Sequence, residues 1–139
     1  MNSAVKWFVV MGFIVMGVVV HAQEWNGDWR GSIDVNERDV SFDVRIVIEG
    51  GGARQYFTDD DGWRLTDPVH AQFSQHRNNA HFFWLNSGGI WTETQSYHLS
   101  MIDDETIEVI YVRHVNNRAP GDDGEPWSLT GVGYLMRAQ

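Results

Sequence analysis

The amino-acid sequence predicts an all-β protein: an antiparallel up-and-down β-barrel of about eight strands, preceded by a signal peptide. Apolar and polar residues alternate with a period of two along most of the chain, and turn-forming residues interrupt it roughly every eight to twelve residues. No segment keeps a 3.6-residue apolar period long enough for a helix. Closing such a meander into a barrel removes its free edges. A β-sandwich is the alternative, but its Greek-key connections need longer crossovers than most of these turns provide.

The first 22 residues predict a secretory signal peptide that is not part of the fold. Lys6 precedes an uncharged apolar segment from Trp7 to Val20, and small residues occupy the cleavage-recognition positions ending at Ala22. As a helix this segment would cover roughly 21 Å, which is too short for the roughly 30 Å hydrocarbon core that a membrane anchor must cross. We therefore expect cleavage after Ala22 and one domain over residues 23–139.

The chain contains no cysteine. This composition excludes disulfides, thiolate catalysis, cysteine metal sites and a lipid-anchored N-terminal cysteine. A small exported domain without disulfides must be stable through its core alone, which favours a bacterial periplasmic or secreted protein.

The predicted mature chain is strongly acidic. Its only lysine lies in the signal peptide, so nine arginines oppose nineteen acidic residues, a formal net charge of −10. Such a surface repels phosphate backbones and anionic headgroups. We therefore expect no nucleic-acid partner and no stable membrane association after signal cleavage.

Turn residues divide the mature chain into strands with recognisable inward faces. The most regular alternation predicts that Val40, Phe42, Val44, Ile46 and Ile48 point inward. The least regular segment, over 63–77, is interrupted by Pro68. Gly131 and Gly133 in the last strand allow close approach of a neighbouring strand or a bend. The predicted strands cover 24–35, 40–49, 53–58, 63–77, 80–85, the two arms of a hairpin over 90–116, and 127–137.

The register of the hairpin over 90–116 follows from its two apolar faces. A three-residue connection, Asp103 to Glu105, pairs Met101 with Ile107, Leu99 with Val109 and Tyr97 with Tyr111, which unites those faces. A two-residue turn would instead pair apolar with polar residues. In the chosen register the inner face is apolar beside the turn and polar away from it, where Glu93, Gln95 and Arg113 cluster.

The segment Asn26-Gly27-Asp28-Trp29 resembles the Gly-x-Trp signature of the calycin barrels, which include lipocalins, fatty-acid-binding proteins and avidins. In lipocalins this tryptophan lies at the closed end of the barrel beneath an arginine that follows the last strand, and Arg137 holds a comparable position here. The resemblance implies an avidin-like or minimal lipocalin-like barrel. It also implies that the Asp103-Asp104 turn lies at the closed end and the polar cluster at the mouth, with the loop over 117–126 as a candidate lid.

The candidate ligand-binding residues are those expected inside the mouth of this barrel. Arg113, with Tyr111 and Gln95, offers donors for a carboxylate or another polar head in a poorly solvated cup. The alternative is that Arg113 forms a structural ion pair with Glu93 and binds nothing. The complete predicted set is Glu93, Gln95, Tyr97, Tyr111, Arg113 and Trp127.

Other chemistries have weaker support in the sequence. The histidines show neither His-x-His nor His-Glu-x-x-His spacing, and His98 is predicted to point outward, so we expect no metal and no other cofactor. The run from Asp59 to Gly62 lacks the twelve-residue loop and terminal glutamate of an EF-hand. No nucleophile elbow or triad spacing is present, so an enzyme is the less favoured class.

We therefore expect an exported, soluble small-molecule-binding protein with a lipocalin-like barrel. Its ligand would be partly apolar with a polar or anionic head. The alternative is a periplasmic or secreted protein-interaction module with a filled core and no ligand, and a hydrolase or isomerase on the same barrel is a third class. A cavity beside Arg113 would favour the small-molecule-binding protein.

Overall fold

The computed structural model describes residues 24–89, 91–117 and 124–139. The predicted signal peptide, Ile90 and most of the predicted lid lie outside these residues. The described chain is all-β, as predicted, and it contains no helix that could cross a membrane. Its nine strands are β1 (Gly27–Val35), β2 (Val40–Glu49), β3 (Gly52–Asp59), β4 (Gly62–Leu65), β5 (His70–His76), β6 (Asn79–Ser87), β7 (Thr92–Asp103), β8 (Thr106–Asn116) and β9 (Trp127–Arg137).

All nine strands belong to one antiparallel up-and-down sheet in the order β4-β3-β2-β1-β9-β8-β7-β6-β5. The first and last strands meet in its middle, in a ladder that runs from Trp29↔Arg137 to Val35↔Gly131. A Cβ at Gly133 would lie 2.2 Å from the backbone oxygen of Ser32, so the predicted close approach at this glycine is confirmed. The sheet curls into a barrel-like shape because inward side chains pack against one another across it.

The irregular fourth segment explains why nine strands are found where about eight were predicted. β4 pairs with β3 and β5 pairs with β6, and the antiparallel pairings make β4 and β5 run in the same direction. The two are therefore halves of one crossing of the barrel, interrupted around Pro68, which has no N–H to donate to a ladder. Among the described residues, β4 and β5 form the two edges of the sheet.

The predicted register of the long hairpin is confirmed, but the predicted connection is wrong. Tyr97 pairs with Tyr111, and Met101 with Ile107. The strand continues through Asp103, which pairs with Thr106, and a register shift between Met101 and Asp103 accommodates the additional residue. A bulge followed by a two-residue turn thus achieves the register that we assigned to a three-residue loop.

Large side chains fill the closed half of the barrel. Trp29, Tyr97 and Phe82 are essentially inaccessible to solvent, and Tyr97 stacks on Phe82 with ring centroids 5.8 Å apart. The aliphatic core residues with zero or one per cent exposure are Ile33, Val44, Ile46, Leu99, Ile107, Val109 and Leu135. This end therefore holds packed protein, which leaves the opposite end for a cavity.

Trp29 and Arg137 meet at the closed end, as predicted. The Arg137 guanidinium lies 4.1 Å from the centre of the Trp29 ring, and its Nε donates to the backbone oxygen of Asp104 at 2.8 Å. The predicted first strand begins too early, because residues 24–26 form a strap across this end. Trp25 in the strap is buried, and its oxygen accepts a hydrogen bond from Trp29 Nε1 at 3.0 Å.

Candidate functional site

A cavity of about 310 Å³ lies at the mouth, opposite the strap. It is bounded by inward residues of β1, β2, β3, β7, β8 and β9 and by the turn between β1 and β2. The lining residues are Val35, Arg38, Val40, Phe42, Gln55, Phe57, Gln95, Tyr111, Arg113 and Leu129. Five of these ten are apolar, and the other five are two arginines, two glutamines and a tyrosine, so the cavity combines apolar walls with clustered hydrogen-bonding groups.

A chain of polar contacts runs from Arg113 into the core along β7. Arg113 Nε lies 2.6 Å from Glu93 Oε1, and the same oxygen accepts a hydrogen bond from Gln95 Nε2 at 2.6 Å. Gln95 Oε1 in turn accepts a hydrogen bond from the Tyr97 hydroxyl at 3.0 Å. These side chains share one face because Glu93, Gln95 and Tyr97 alternate along a strand. Glu93 is 8% exposed, so its carboxylate needs the arginine as a counter-charge.

Arg113 is held in place but not saturated with hydrogen bonds. Its Nε–H is not aligned on the nearby Glu93 oxygen and makes no hydrogen bond within the described part of the chain. The guanidinium carbon lies 5.2 Å from the centre of the Trp127 ring, a distance at which cation–π attraction operates. A fork of five N–H donors therefore retains capacity for an acceptor that enters the cavity.

The turn between β1 and β2 brings a second arginine to the cavity. The guanidinium carbon of Arg38 lies 5.8 Å from the centre of the Trp127 ring, which is the same ring that Arg113 approaches. Its neighbour Glu37 accepts hydrogen bonds from the Thr130 backbone N–H at 2.9 Å and the Thr130 hydroxyl at 2.8 Å. These bonds lower the pKa of the Glu37 carboxyl and attach the turn to β9.

Gln55 and Phe42 complete the polar and aromatic parts of the cavity lining. Gln55 Oε1 accepts a hydrogen bond from the Trp84 indole, which leaves the Gln55 amide nitrogen as a potential donor to the cavity. Phe42 packs edge-on against Tyr111, with ring centroids 5.2 Å apart. A polar group beside an aromatic wall is the usual composition of a small-molecule pocket.

Both buried tyrosines remain protonated at neutral pH. Burial raises the pKa of Tyr97 well above its ordinary value, and burial likewise raises the pKa of Tyr111, although Arg113 acts in the opposite direction. A protonated phenol donates a hydrogen bond. The cavity thus presents hydrogen-bond donors from arginine, amide and phenol groups, and this set suits the binding of carboxylate or carbonyl oxygens.

The structure separates the six predicted site residues into two groups. Gln95, Tyr111 and Arg113 line the cavity, whereas Tyr97 lies beneath it and Glu93 lies behind Arg113. Trp127 flanks both arginines from the side.

Sequence reasoning missed Gln55 and Arg38 as parts of the cavity lining. Gln55 pairs with the inward Ile46, so its register marks it as an inward polar residue. Arg38 lies in a turn, where side-chain direction does not follow from strand alternation. Trp91 packs on Gly88 outside the cavity lining, and a Cβ added at Gly88 would lie 2.1 Å from Trp91 Nε1.

Histidine and aspartate side chains outside the cavity contact neighbouring protein groups. His81 and His98 face each other across β6 and β7 on the outer wall with ring centroids 4.6 Å apart, so the outward prediction for His98 is confirmed. Burial, and then His98, lower the pKa of His81. Asp59 and Asp61 both pair with Arg64. Within residues 24–89, 91–117 and 124–139, no group of three or more His, Asp or Glu side chains is arranged to hold a metal ion.

Comparison of the chain with protein-family models, curated proteins and solved structures found no significant match.

Proposed function

We propose that this chain is an exported, lipocalin-like barrel that binds a small, partly apolar molecule with an anionic head in the periplasm or outside the cell. The observation that carries the proposal is the position of Arg113, whose guanidinium lines an apolar-walled cavity. An arginine in a poorly solvated cup recognises carboxylates strongly, because its donors match the two carboxylate oxygens. The cavity beside Arg113 is the feature that separates this function from a purely structural ion pair.

The charge distribution supports an anionic head. The whole chain has a formal net charge of −9, yet the ten lining residues include two arginines and no aspartate or glutamate. Glu93 offsets part of the positive charge from behind the lining. The cavity lining is thus more positive than the rest of this acidic protein, and it would attract an anion that the remaining surface repels.

The cavity volume limits the size of the ligand. About 310 Å³ is near the lower end of small-molecule pockets, which span roughly 300–1,000 Å³. At the roughly 30 Å³ that a water molecule occupies in the liquid, this volume holds about ten non-hydrogen atoms. The closed half is filled by Trp29, Tyr97 and Phe82, so a long lipid chain would not fit along the barrel axis. Medium-chain and arylalkyl carboxylates match this size.

The test is a fluorescence titration, because Trp127 lies beside the arginines and would report occupancy. Octanoate and 3-phenylpropanoate would be compared with octanol and 3-phenylpropanol, which keep the apolar part and remove the charge. We expect the carboxylates to bind more tightly. Arg113→Ala should weaken their binding about tenfold or more, given about 1.5–3 kcal/mol for a hydrogen bond to a charged group, and should change alcohol binding by less than about threefold.

Arg54→Ala is the matched control, because Arg54 forms an exposed ion pair with Glu49 near the closed end, at 3.2 Å. It should leave all affinities unchanged. An Arg113→Ala protein that binds the carboxylates as tightly as the unmodified chain would refute the proposed site.

The second candidate is a protein-interaction module without a ligand. It is favoured by the packed closed half of the barrel, where Trp29 and Tyr97 leave no measurable surface to solvent. Absence of binding for every probe in the titration would support this candidate over the first.

A further inference from the structure

The outer wall of β8 and β9 carries a concentration of exposed apolar side chains. Ile110, Val132, Tyr134 and Met136 are each between 47% and 56% exposed. Ile110 and Val132 are directly opposite each other in the β8–β9 ladder, so their side chains form one continuous surface. Contiguous apolar surface rimmed by polar residues marks an interaction site on a soluble protein. This wall lies on the opposite face of the sheet from the ligand cavity.

The residues flanking this apolar pair are arranged in a self-complementary order. Strand pairing places His98 beside Ile110, Val132 beside Ile110, and Asp34 beside Val132. Read across β7, β8, β9 and β1, the row is therefore histidine, apolar, apolar, carboxylate. All four side chains point outward and are exposed. A row of this kind complements a copy of itself turned through 180°.

We propose that a second copy of this chain covers the wall, in a two-fold symmetric dimer whose axis runs along the strands between β8 and β9. With that axis, Ile110 of one protomer faces Val132 of the other, and His98 faces Asp34. Both pairs occur twice, as symmetry requires of an isologous interface. Each buried Asp34 carboxylate then has an imidazole as partner.

The neighbouring row supports the same axis. Glu108 pairs with Tyr134 across the β8–β9 ladder. Within one chain the Tyr134 hydroxyl donates to Glu108 Oε1 at 3.5 Å. The two-fold operation also places Glu108 of one protomer opposite Tyr134 of the other, where the same hydroxyl can donate across the interface. An axis perpendicular to the strands would instead place each strand against its own copy, so that Ile110 would no longer face Val132 and Glu108 would no longer face Tyr134.

The dimensions of the wall predict a weak dimer. Four strands at about 4.8 Å spacing and about eight residues at about 3.3 Å give a contact of roughly 14 by 26 Å. This is smaller than the roughly 800 Å² per partner of a standard interface. We therefore expect a dimer that dissociates in the micromolar range.

Sedimentation velocity of the full chain over a concentration series tests the dimer. The unmodified chain should shift from monomer to dimer, and Val132→Glu should remain monomeric at every concentration because two carboxylates would be placed in the apolar centre. Val69→Glu is the matched control, because Val69 is 70% exposed but lies between β4 and β5. It should dimerise like the unmodified chain. A monomer at millimolar concentration, or a dimer unaffected by Val132→Glu, would overturn the proposal.

Cross-linking tests the geometry independently of whether Val132→Glu folds. The chain has no cysteine, so single introduced thiols are unambiguous. A short bis-maleimide should join Ile110→Cys to Val132→Cys in a mixture of the two proteins. It should not join Ile110→Cys to Val69→Cys. Equal cross-linking in both mixtures would show a contact that does not follow the proposed axis, and the inference would fail while the proposed ligand site would be unaffected.

Discussion

Replacement of Arg137 by methionine tests whether the closed end is a main source of stability. The Arg137 guanidinium donates to three backbone oxygens, those of Asp104, Asn26 and Glu24, at 2.8, 2.7 and 2.9 Å. It also lies over the Trp29 ring at 4.1 Å. Hydrogen bonds to a charged group contribute about 1.5 kcal/mol each at the low end, and a partly exposed cation–π contact about 0.5–1 kcal/mol.

These contributions are reduced by solvent at a partly exposed site, and methionine retains some contact with Trp29. We therefore expect Arg137→Met to lower the free energy of unfolding by about 2–3 kcal/mol. For a domain of this size the loss corresponds to a fall in Tm of roughly 10 °C. Urea denaturation followed by tryptophan fluorescence measures it directly, and the slope with denaturant should not change, because the fold is retained.

Two variants make this test specific. Arg137→Lys keeps the charge but not the planar fork of donors, so it should lose about half as much stability. Arg54→Met removes only an exposed ion pair and should change stability by less than about 0.5 kcal/mol. A loss for Arg137→Met no larger than that for Arg54→Met would refute the assignment of Arg137 as the clamp of the closed end.

Two further predictions concern ionisation and backbone conformation. Because burial raises the pKa of Tyr97 and of Tyr111, their stabilising effect is present below the ordinary tyrosine pKa of about 10 and is lost as pH rises beyond it. Absorbance titrations of the unmodified chain and of a variant with Tyr97→Phe and Tyr111→Phe should coincide until alkaline unfolding, and a smaller phenolate signal from the folded variant would contradict the burial. Arg77 has a φ of 56°, so Arg77→Gly should relieve left-handed strain and raise the free energy of unfolding by about 0.5–1 kcal/mol. Thermal denaturation should show that the control Asn78→Gly, in the same turn, gives no such gain.

Local sequence patterns correctly predicted most of the strands and most of their inward faces; the exceptions include the divided fourth segment and Val40, which was assigned inside but is 56% exposed. Alternation with a period of two assigned Val44, Ile46 and Ile48 to the core, and these residues are buried. The same alternation set the register of the β7–β8 hairpin, because a shift by one residue would expose its apolar face. These features depend on neighbours a few residues away, and for that reason they can be derived from the chain alone.

The candidate site was only partly predictable for a related reason. Gln95, Tyr111 and Arg113 lie on one hairpin, whose register places them together at the mouth. Gln55 and Arg38 come from a distant strand and a turn, and no local pattern connects them to that hairpin. Their contribution depends on how the sheet curls.

The sequence by itself determined an all-β chain whose long hairpin has an inner face that is apolar beside its turn and polar away from it. Only the tertiary structure decided that the crossing at Pro68 splits into β4 and β5, which form the edges of the sheet, and that residues 24–26 cover the closed end. The physical reason is that side-chain alternation is a property of each strand, whereas strand partners, bulges and cavity volume follow from packing between residues far apart in the chain.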